Sequence, residues 1–322
     1  MKVLLLLVFL FSNAISGYSH SVFITSQYDK RCPPPELIDP CICFDHSRKC
    51  TAVCSNFTNS EDLQIIFERT PGWKLEEVLF ENSVMKYIPT AIVEVPHFKT
   101  LDVRSTTLLQ LFQNPPITSS RISLNLYNVT LLRGLDWHSL SNLNIRGLTT
   151  ENIRIKYFGK EFKNGIPKSV SSLKFHNSKT VSITDNAFSE FDRLITLGIE
   201  DGYIKKISRD MFPRPWRVHI WRMSNQRISV LPDDIFSDLP NLAFLDFSKN
   251  LLKTISEKMF LQERKVFFSL FGNPFVCNCN LKWIPTYERT KESAILGKCD
   301  APETFKGERF SYLQDSDFWY CE

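Results

Sequence analysis

Apolar residues recur at a fixed spacing in the C-terminal half of the chain. Residues 194–207, 218–231 and 242–255 align without gaps, start 24 residues apart, and share apolar residues at positions 1, 4, 6, 11 and 14. Side chains alternate along a strand with a period of two, so positions 4 and 6 lie on the same side of a short strand. The pattern therefore predicts one short strand per repeat, with the strands facing a shared core.

The same register extends in both directions along the chain. The fourth position falls on apolar residues that are 23 or 24 residues apart, except for steps of 19 and 30 residues on either side of Leu143. We leave the register around residues 143–173 open for this reason. The full set of fourth-position residues is Val78, Leu101, Leu124, Leu143, Leu173, Leu197, Trp221, Leu245 and Phe268.

Other positions of the repeat carry their own signals. Asn250 and Asn273 occupy the ninth position of two repeats, where we expect the amide to bond the backbone as the chain turns away from the strand. Gln226 and Gly202 replace it in two others. Four phenylalanines, predicted to fill the convex side of the core, recur every 24 residues at Phe188, Phe212, Phe236 and Phe260.

This spacing resembles the leucine-rich repeat, whose pattern is L-x-x-L-x-L-x-x-N-x-L. The resemblance implies an α/β solenoid, with a curved parallel sheet on the concave face and irregular or short helical segments on the convex side. We predict a cap at residues 32–74, repeats with about nine strands at 75–273, and a second cap at 274–322.

The N-terminal residues have the pattern typical of a secretory signal peptide. Lys2 precedes nine apolar residues, Val3 to Phe11, which is too short for a membrane span, and the small residues Ala14 and Ser16 on either side of Ile15 fit a cleavage site. We predict a signal peptide at 1–16, a linker at 17–31, and a secreted, extracellular protein without a membrane anchor.

Nine cysteines lie in two groups, five between Cys32 and Cys54 and four between Cys277 and Cys321. In an oxidising compartment they are disulfide candidates first. The run Asn273-Pro274, Cys277-x-Cys279, Leu281 and Trp283, with two later cysteines, resembles the C-terminal cap of secreted and cell-surface leucine-rich repeat proteins. This resemblance implies the pairs Cys277–Cys299 and Cys279–Cys321.

The first cysteine group resembles the matching N-terminal cap, which implies the pairs Cys32–Cys43 and Cys41–Cys54. Cys50 is then left over, as a thiol, in an alternative pairing, or in a bridge to another chain. The opening "CPPPELIDPCIC" also resembles arthropod secreted repeat proteins, a group that includes the non-catalytic subunit of a shrimp luciferase.

Composition and motifs argue against several classes of function. A net charge of +4 is too small for its length to indicate nucleic acid or anionic membrane as a partner. The chain has no H-E-x-x-H, G-x-S-x-G, Walker or dinucleotide motif. We therefore expect no enzyme activity, no cofactor and no metal. The sequons at Asn56 and Asn128 predict glycosylation.

A candidate ligand site comes from the third strand position, which is polar in the N-terminal half and then becomes Ile220, Phe244 and Phe267. Aromatic centres with charged rims are typical of binding surfaces. The alternative is that these side chains only pack on each other and on the cap. The flanking residues assigned to the site are His219 at the second position, and Arg222 and Asp246 at the fifth.

Three functional hypotheses follow. The first is a secreted protein that binds a protein partner through its concave face, and the apolar row supports it. The second is a structural or matrix component linked covalently through Cys50. The third is a non-catalytic accessory subunit of a secreted enzyme complex, which the luciferase resemblance implies.

Overall fold

The computed structural model describes residues 32–46, 49–70, 72–95, 97–260, 265–290 and 293–321. The predicted signal peptide and the linker lie outside these residues. The strands are, in chain order, β1 (Ile42–His46), β2 (Lys49–Ser55), β3 (Glu77–Glu81), β4 (Val84–Met85), β5 (Thr100–Arg104), β6 (Thr107–Leu108), β7 (Ile122–Tyr127), β8 (Thr130–Leu131), β9 (Ile145–Glu151), β10 (Tyr157–Phe158), β11 (Ser172–His176), β12 (Ser182–Ile183), β13 (Thr196–Ile199), β14 (Ile220–Arg222), β15 (Phe244–Asp246), β16 (Phe267–Ser269), β17 (Phe275–Val276), β18 (Ala294–Leu296) and β19 (Cys299–Ala301).

Short helices connect these strands. The α-helices are α1 (Pro35–Ile38), α2 (Ser60–Glu68), α3 (Lys160–Gly165) and α4 (Ile284–Thr290). The 3₁₀ segments are Thr90–Ile92, Trp137–Leu140, Arg209–Met211, Glu257–Phe260, Cys279–Leu281, Glu303–Phe305, Phe310–Tyr312 and Asp315–Phe318.

One large sheet organises the described part of the chain. Its twelve strands follow the order β1-β2-β3-β5-β7-β9-β11-β13-β14-β15-β16-β18. The β1–β2 pair is antiparallel, and every later pair is parallel. Each repeat adds one strand beside its predecessor, so chain order and sheet order agree. Strands β2 and β18 extend the sheet into both cysteine-rich ends.

The alternation along each strand separates core from surface. Fourth-position residues such as Leu101, Leu124 and Leu245 are fully buried, whereas their third- and fifth-position neighbours are partly exposed. Apolar burial is the main favourable contribution to folding, and here each layer is completed by the next repeat. The uncovered side of this sheet, built from positions 3, 5 and 7, is called the exposed face below.

The register at Leu143 needs correction. In the sheet, Leu148 pairs with Leu124 and Leu173, so Leu148 and not Leu143 holds the fourth position. Gly147 therefore holds the third position, which the predicted register gives to Asn142. The spacings become 24 and 25 residues. The pattern misled because Leu143 and Ile145 imitate positions 4 and 6. The true sixth position holds the buried, polar Thr150.

The expected role of the ninth-position asparagine is confirmed. The Asn250 amide nitrogen donates to Met223 O (2.8 Å) and Phe247 O (3.0 Å), and its oxygen accepts from Ile228 N (3.1 Å). Asn273 repeats the arrangement one turn later, with its oxygen accepting from Leu252 N at 3.1 Å. A single side chain thus satisfies buried backbone groups of two adjacent repeats.

At Gly202 and Gln226, the buried backbone groups of the ninth position are hydrogen-bonded in a different way. Gln226 Oε1 accepts from Ile204 N at 3.0 Å, and its Nε2 donates to Ile199 O at 3.0 Å. A Cβ on Gly202 would lie 2.6 Å from that Oε1 and 2.8 Å from Thr180 O. The long Gln226 side chain therefore occupies the space that a side chain at position 202 would need.

Replacing Asn250 with alanine is expected to lower the free energy of unfolding by about 2–3 kcal/mol. The change leaves Ile228 N–H and at least one carbonyl buried without a partner, and each such group costs about 1–3 kcal/mol. Denaturant unfolding followed by circular dichroism measures this loss. The exposed Asn280 provides the control, because Asn280→Ala should stay within about 0.5 kcal/mol of the parent. Equal stabilities for the two variants would contradict the assigned role.

The eighth position of the repeats turns the chain in the left-handed region. The residues with positive φ at this position are Asn56, Asn82, Ser105, Asn128, Asn152, Asn177, Asp201, Asn225, Lys249 and Gly272. Asparagine, aspartate and glycine tolerate this conformation best. Asn152 donates to Asn128 and Asn177 donates to Asn152, so these amides form a ladder along the edge of the exposed face.

Aromatic rings fill the space behind the sheet. The four regularly spaced phenylalanines are all buried, which confirms their predicted place in the core. Phe188 and Phe212 have ring centroids 5.8 Å apart, and Phe236 and Phe260 are 5.9 Å apart. Trp221 lies between these pairs, 4.8 Å from Phe212 and 6.2 Å from Phe236, which makes the aromatic core continuous through the C-terminal repeats.

Four disulfides close the two ends of the described chain. They are Cys32–Cys43, Cys41–Cys54, Cys277–Cys299 and Cys279–Cys321, the pairs that the cap resemblance implies. The C-terminal cap also packs on the last repeat, because Phe260 lies 5.2 Å from Trp283 and 5.9 Å from Tyr287 between ring centroids. These contacts cover the apolar layer that the final repeat would otherwise expose.

Candidate binding surface

Three apolar side chains stand in adjacent strands on the exposed face. Ile220 pairs with Phe244, and Phe244 pairs with Phe267, so the three lie in one row across β14, β15 and β16. The Phe244 and Phe267 rings stack at 6.4 Å with an angle of 15° between their planes. Phe267 remains 43% exposed. We call Ile220, Phe244 and Phe267 the apolar row.

The structure adds residues that the sequence pattern did not assign to this surface. Ala294 pairs with Phe267, and Leu296 pairs with Ser269, because β18 of the cap continues the sheet. Phe271, at the seventh position of its repeat, is 37% exposed. The apolar surface therefore continues from the last repeats into the C-terminal cap.

The flanking residues lie as predicted by the register. Arg222 pairs with Asp246 at the fifth position, and the Arg222 guanidinium stands 5.4 Å from the Phe244 ring centroid. This distance is within the range of cation–π attraction. His219 is exposed beside Ile220, with its Nδ1 3.2 Å from Arg217 O. The structure thus brings all six proposed binding residues to one region.

The N-terminal half of the exposed face is polar, and several of its side chains form hydrogen bonds with one another. Glu77 accepts from Lys49 at 2.8 Å and from Thr51 at 3.2 Å, and the hydrogen bond to Glu77 raises the pKa of Lys49. Asp102 accepts from Asn125 at 2.7 Å. Many of these groups already have protein partners, so this half offers a ligand fewer unpaired groups than its composition indicates.

A cleft of about 670 Å³ opens next to the apolar row. Ile195 and His219, which directly precede the exposed-face residues of β13 and β14, form part of its wall. Arg193 and Arg217 line it as well. The cleft therefore lies next to the apolar row, at the start of these strands.

Cys50 lies inside the N-terminal cap. It is fully buried, and its sulfur is 2.9 Å from Cys32 Sγ and 3.0 Å from Cys43 Sγ. A bridge to another chain would require the cap to open, because a disulfide needs its two Cα atoms within about 7 Å. The geometry favours an alternative pairing within the cap over the intermolecular bridge.

Both sequon asparagines are exposed and have positive φ, at 61° for Asn56 and 55° for Asn128. Asn128 belongs to the ladder at the edge of the exposed face, and its side-chain oxygen accepts from Asn152. Glycosylation at these sites stays a prediction. A glycan on Asn128 would crowd the polar half of the face and leave the apolar row open.

Comparison with known proteins agrees with the repeat architecture. A family model described as "Leucine rich repeat" matches residues 222–275, which include β15 and β16. The fold is a leucine-rich repeat solenoid with disulfide-linked caps. A chain of a solved octameric complex of Latrophilin 3 (Lec, Olf), Unc5D (Ig, Ig2, TSP1) and FLRT2 (LRR) is similar, with 16% identity and a TM-score of 0.48. The match covers 77% of this solenoid's chain and 91% of the other chain.

No curated protein matches the sequence significantly. Within the described residues, none of the helices combines the length and the apolar character that crossing a membrane requires. The disulfides of this leucine-rich repeat solenoid are compatible with an extracellular location, where such bonds persist.

Proposed function

We propose that the protein is a secreted, non-enzymatic binding module that recognises a protein partner through the C-terminal part of its exposed, concave face. The observation that carries this proposal is the apolar row. It holds three large apolar side chains in register on adjacent strands, and one of them, Phe267, is almost half exposed. Contiguous exposed apolar groups mark interaction sites on soluble proteins.

Shielding of the core does not require the row. If Phe244 and Phe267 served only to shield the core, repeats without them would have a less buried core. Leu101 and Leu124 lie beside the polar Thr100 and Ser123, yet both leucines are as fully buried as Leu245. The core is therefore closed without apolar residues at the third position, and the row is available for contact.

The surroundings of the row resemble the anatomy of a protein interface. Aromatic and apolar groups form its centre, while Arg222, Asp246 and His219 supply a charged and polar rim. A few buried aromatic residues usually carry most of the binding energy of such an interface. Neighbouring solenoid strands hold these groups in place, so little ordering is needed on binding.

Replacing Phe244 and Phe267 together with serine is expected to weaken partner binding at least about 30-fold. This corresponds to about 2 kcal/mol, the loss typical of a binding hot spot. Partners are captured on the immobilised protein from extracellular fluid, identified by mass spectrometry and expressed separately. Titration calorimetry then gives the dissociation constant for the parent and the variant.

The control also replaces two exposed apolar residues with serine, but at another place on the surface. Ile117 and Val230 are highly exposed and lie outside the apolar row, so Ile117→Ser/Val230→Ser should leave the dissociation constant unchanged. Circular dichroism confirms that both double variants keep the fold. Equal binding by the parent and Phe244→Ser/Phe267→Ser would refute the proposed site.

A further inference from the structure

The cleft beside the apolar row has an excess of positive charge. Arg193, Arg214 and Arg217 line it, with Asp192 as the one carboxylate among the described lining residues. Arg214 is already paired, because it lies 2.7 Å from Asp234 and 3.2 Å from Asp238, and the hydrogen bond to Asp234 raises its pKa.

The other two arginines are different. Within the part of the chain that the structure describes, neither Arg193 nor Arg217 forms an ion pair, and both are exposed. Arginine presents several donors in a planar arrangement that matches a carboxylate. Because Arg193 and Arg217 outnumber Asp192 in the lining, the cleft can accept further negative charge.

The cleft and the apolar row are neighbours. His219 lines the cleft and is followed directly by Ile220, the first member of the row. Neighbouring strands in a sheet are about 4.8 Å apart, so the row spans about 10 Å from Ile220 to Phe267. A segment of a few residues can reach across both regions.

We propose that the partner presents an acidic segment, in which aromatic or aliphatic side chains contact the apolar row and adjacent carboxylates bind Arg193 and Arg217 in the cleft. This inference rests on the proposed function and adds the chemistry of the partner to it. The positive charge of the cleft favours binding of carboxylates, and the apolar row favours binding of the apolar residues next to them.

A sulfated polysaccharide is the competing occupant for a cleft with this charge. Such a polymer has no apolar side chains, so it would leave Phe244 and Phe267 uncovered. The position of the cleft next to the row therefore favours a peptide segment. The same variants separate the two ligands, because a polysaccharide would depend on the arginines and not on the phenylalanines.

The test is selection of 12-residue peptides from a random display library on the intact secreted protein. We expect enrichment of Asp and Glu next to aromatic or aliphatic residues. Synthetic copies of the selected peptides should bind the Arg193→Glu/Arg217→Glu variant at least tenfold more weakly, and added salt should weaken binding to the parent. The control is Arg69→Glu/Arg154→Glu, which makes the same change in net charge at exposed sites outside the cleft.

The outcomes separate this inference from the function on which it rests. Peptides that need Phe244 and Phe267 but tolerate Arg193→Glu/Arg217→Glu overturn the acidic partner and leave the binding site standing. Peptides that tolerate Phe244→Ser/Phe267→Ser count against the apolar row itself. A selection that enriches no sequence, or a heparin fragment that binds through the arginines alone, also overturns the inference.

Discussion

Trp221→Ala is expected to lower the free energy of unfolding by about 4 kcal/mol, within the range of about 3–5 kcal/mol for a buried tryptophan. Trp221 is fully buried at the centre of the aromatic core, with ring centroids 4.8 Å from Phe212, 5.1 Å from Trp216 and 5.2 Å from Phe247. Alanine would leave a cavity between two repeats, and a solenoid depends on contacts between neighbouring repeats. Guanidinium unfolding followed by far-ultraviolet circular dichroism measures the loss.

Trp221→Phe is the matched control. Trp221 Nε1 is buried without a hydrogen-bond partner in the described structure, so phenylalanine removes an unsatisfied donor while keeping most of the ring contacts. We expect this variant to lose only about 1 kcal/mol. If both variants unfolded with nearly the free energy of the parent, the Trp221 ring contacts would not contribute substantially to stability. Equal large losses would show that a phenylalanine ring does not replace the packing of the indole.

The predictable part of this fold is the part in which one physical rule repeats. The period near 24 residues places the fourth-position residues correctly wherever the sixth position is apolar, as at Leu245 and Phe247. It fails at Leu143, because the buried Thr150 breaks the apolar pair in that strand. A local exception of this kind is visible only when the backbone pairing of Leu148 with its neighbours is known.

The candidate surface was predictable only where it follows the repeat. Register places Ile220, Phe244 and Phe267 in one row from sequence alone. Ala294 and Leu296 could not be added, because β18 lies in the cap and joins the sheet after a connection without the repeat pattern. The cleft was missed for a similar reason, since Arg193 and Arg217 precede their strands and meet only when those strands pair. The recurring asparagine at the eighth position was a signal that could have been found.

Removal of the Cys279–Cys321 disulfide by replacing both residues with serine is expected to destabilise the C-terminal cap by about 4 kcal/mol. The bond closes a loop with a sequence separation of 42, and the chain-entropy model gives about this value for such a loop. Loss of the cap would detach β18 and the Trp283 and Tyr287 rings from the last repeat. Limited proteolysis with mass spectrometry should show early cleavage within residues 274–321, before cleavage in the repeats.

The matched control removes a different link in the same cap. Asp315→Asn breaks the exposed ion pair with Arg289, and exposed pairs contribute only about 0–1 kcal/mol, so the protease pattern should not change. Because Ala294 and Leu296 continue the apolar surface into the cap, the Cys279→Ser/Cys321→Ser variant should also bind the partner more weakly than Asp315→Asn does. A cap that resisted protease as well as the parent would show that packing of Trp283 and Tyr287, and not the disulfide, closes this end of the solenoid.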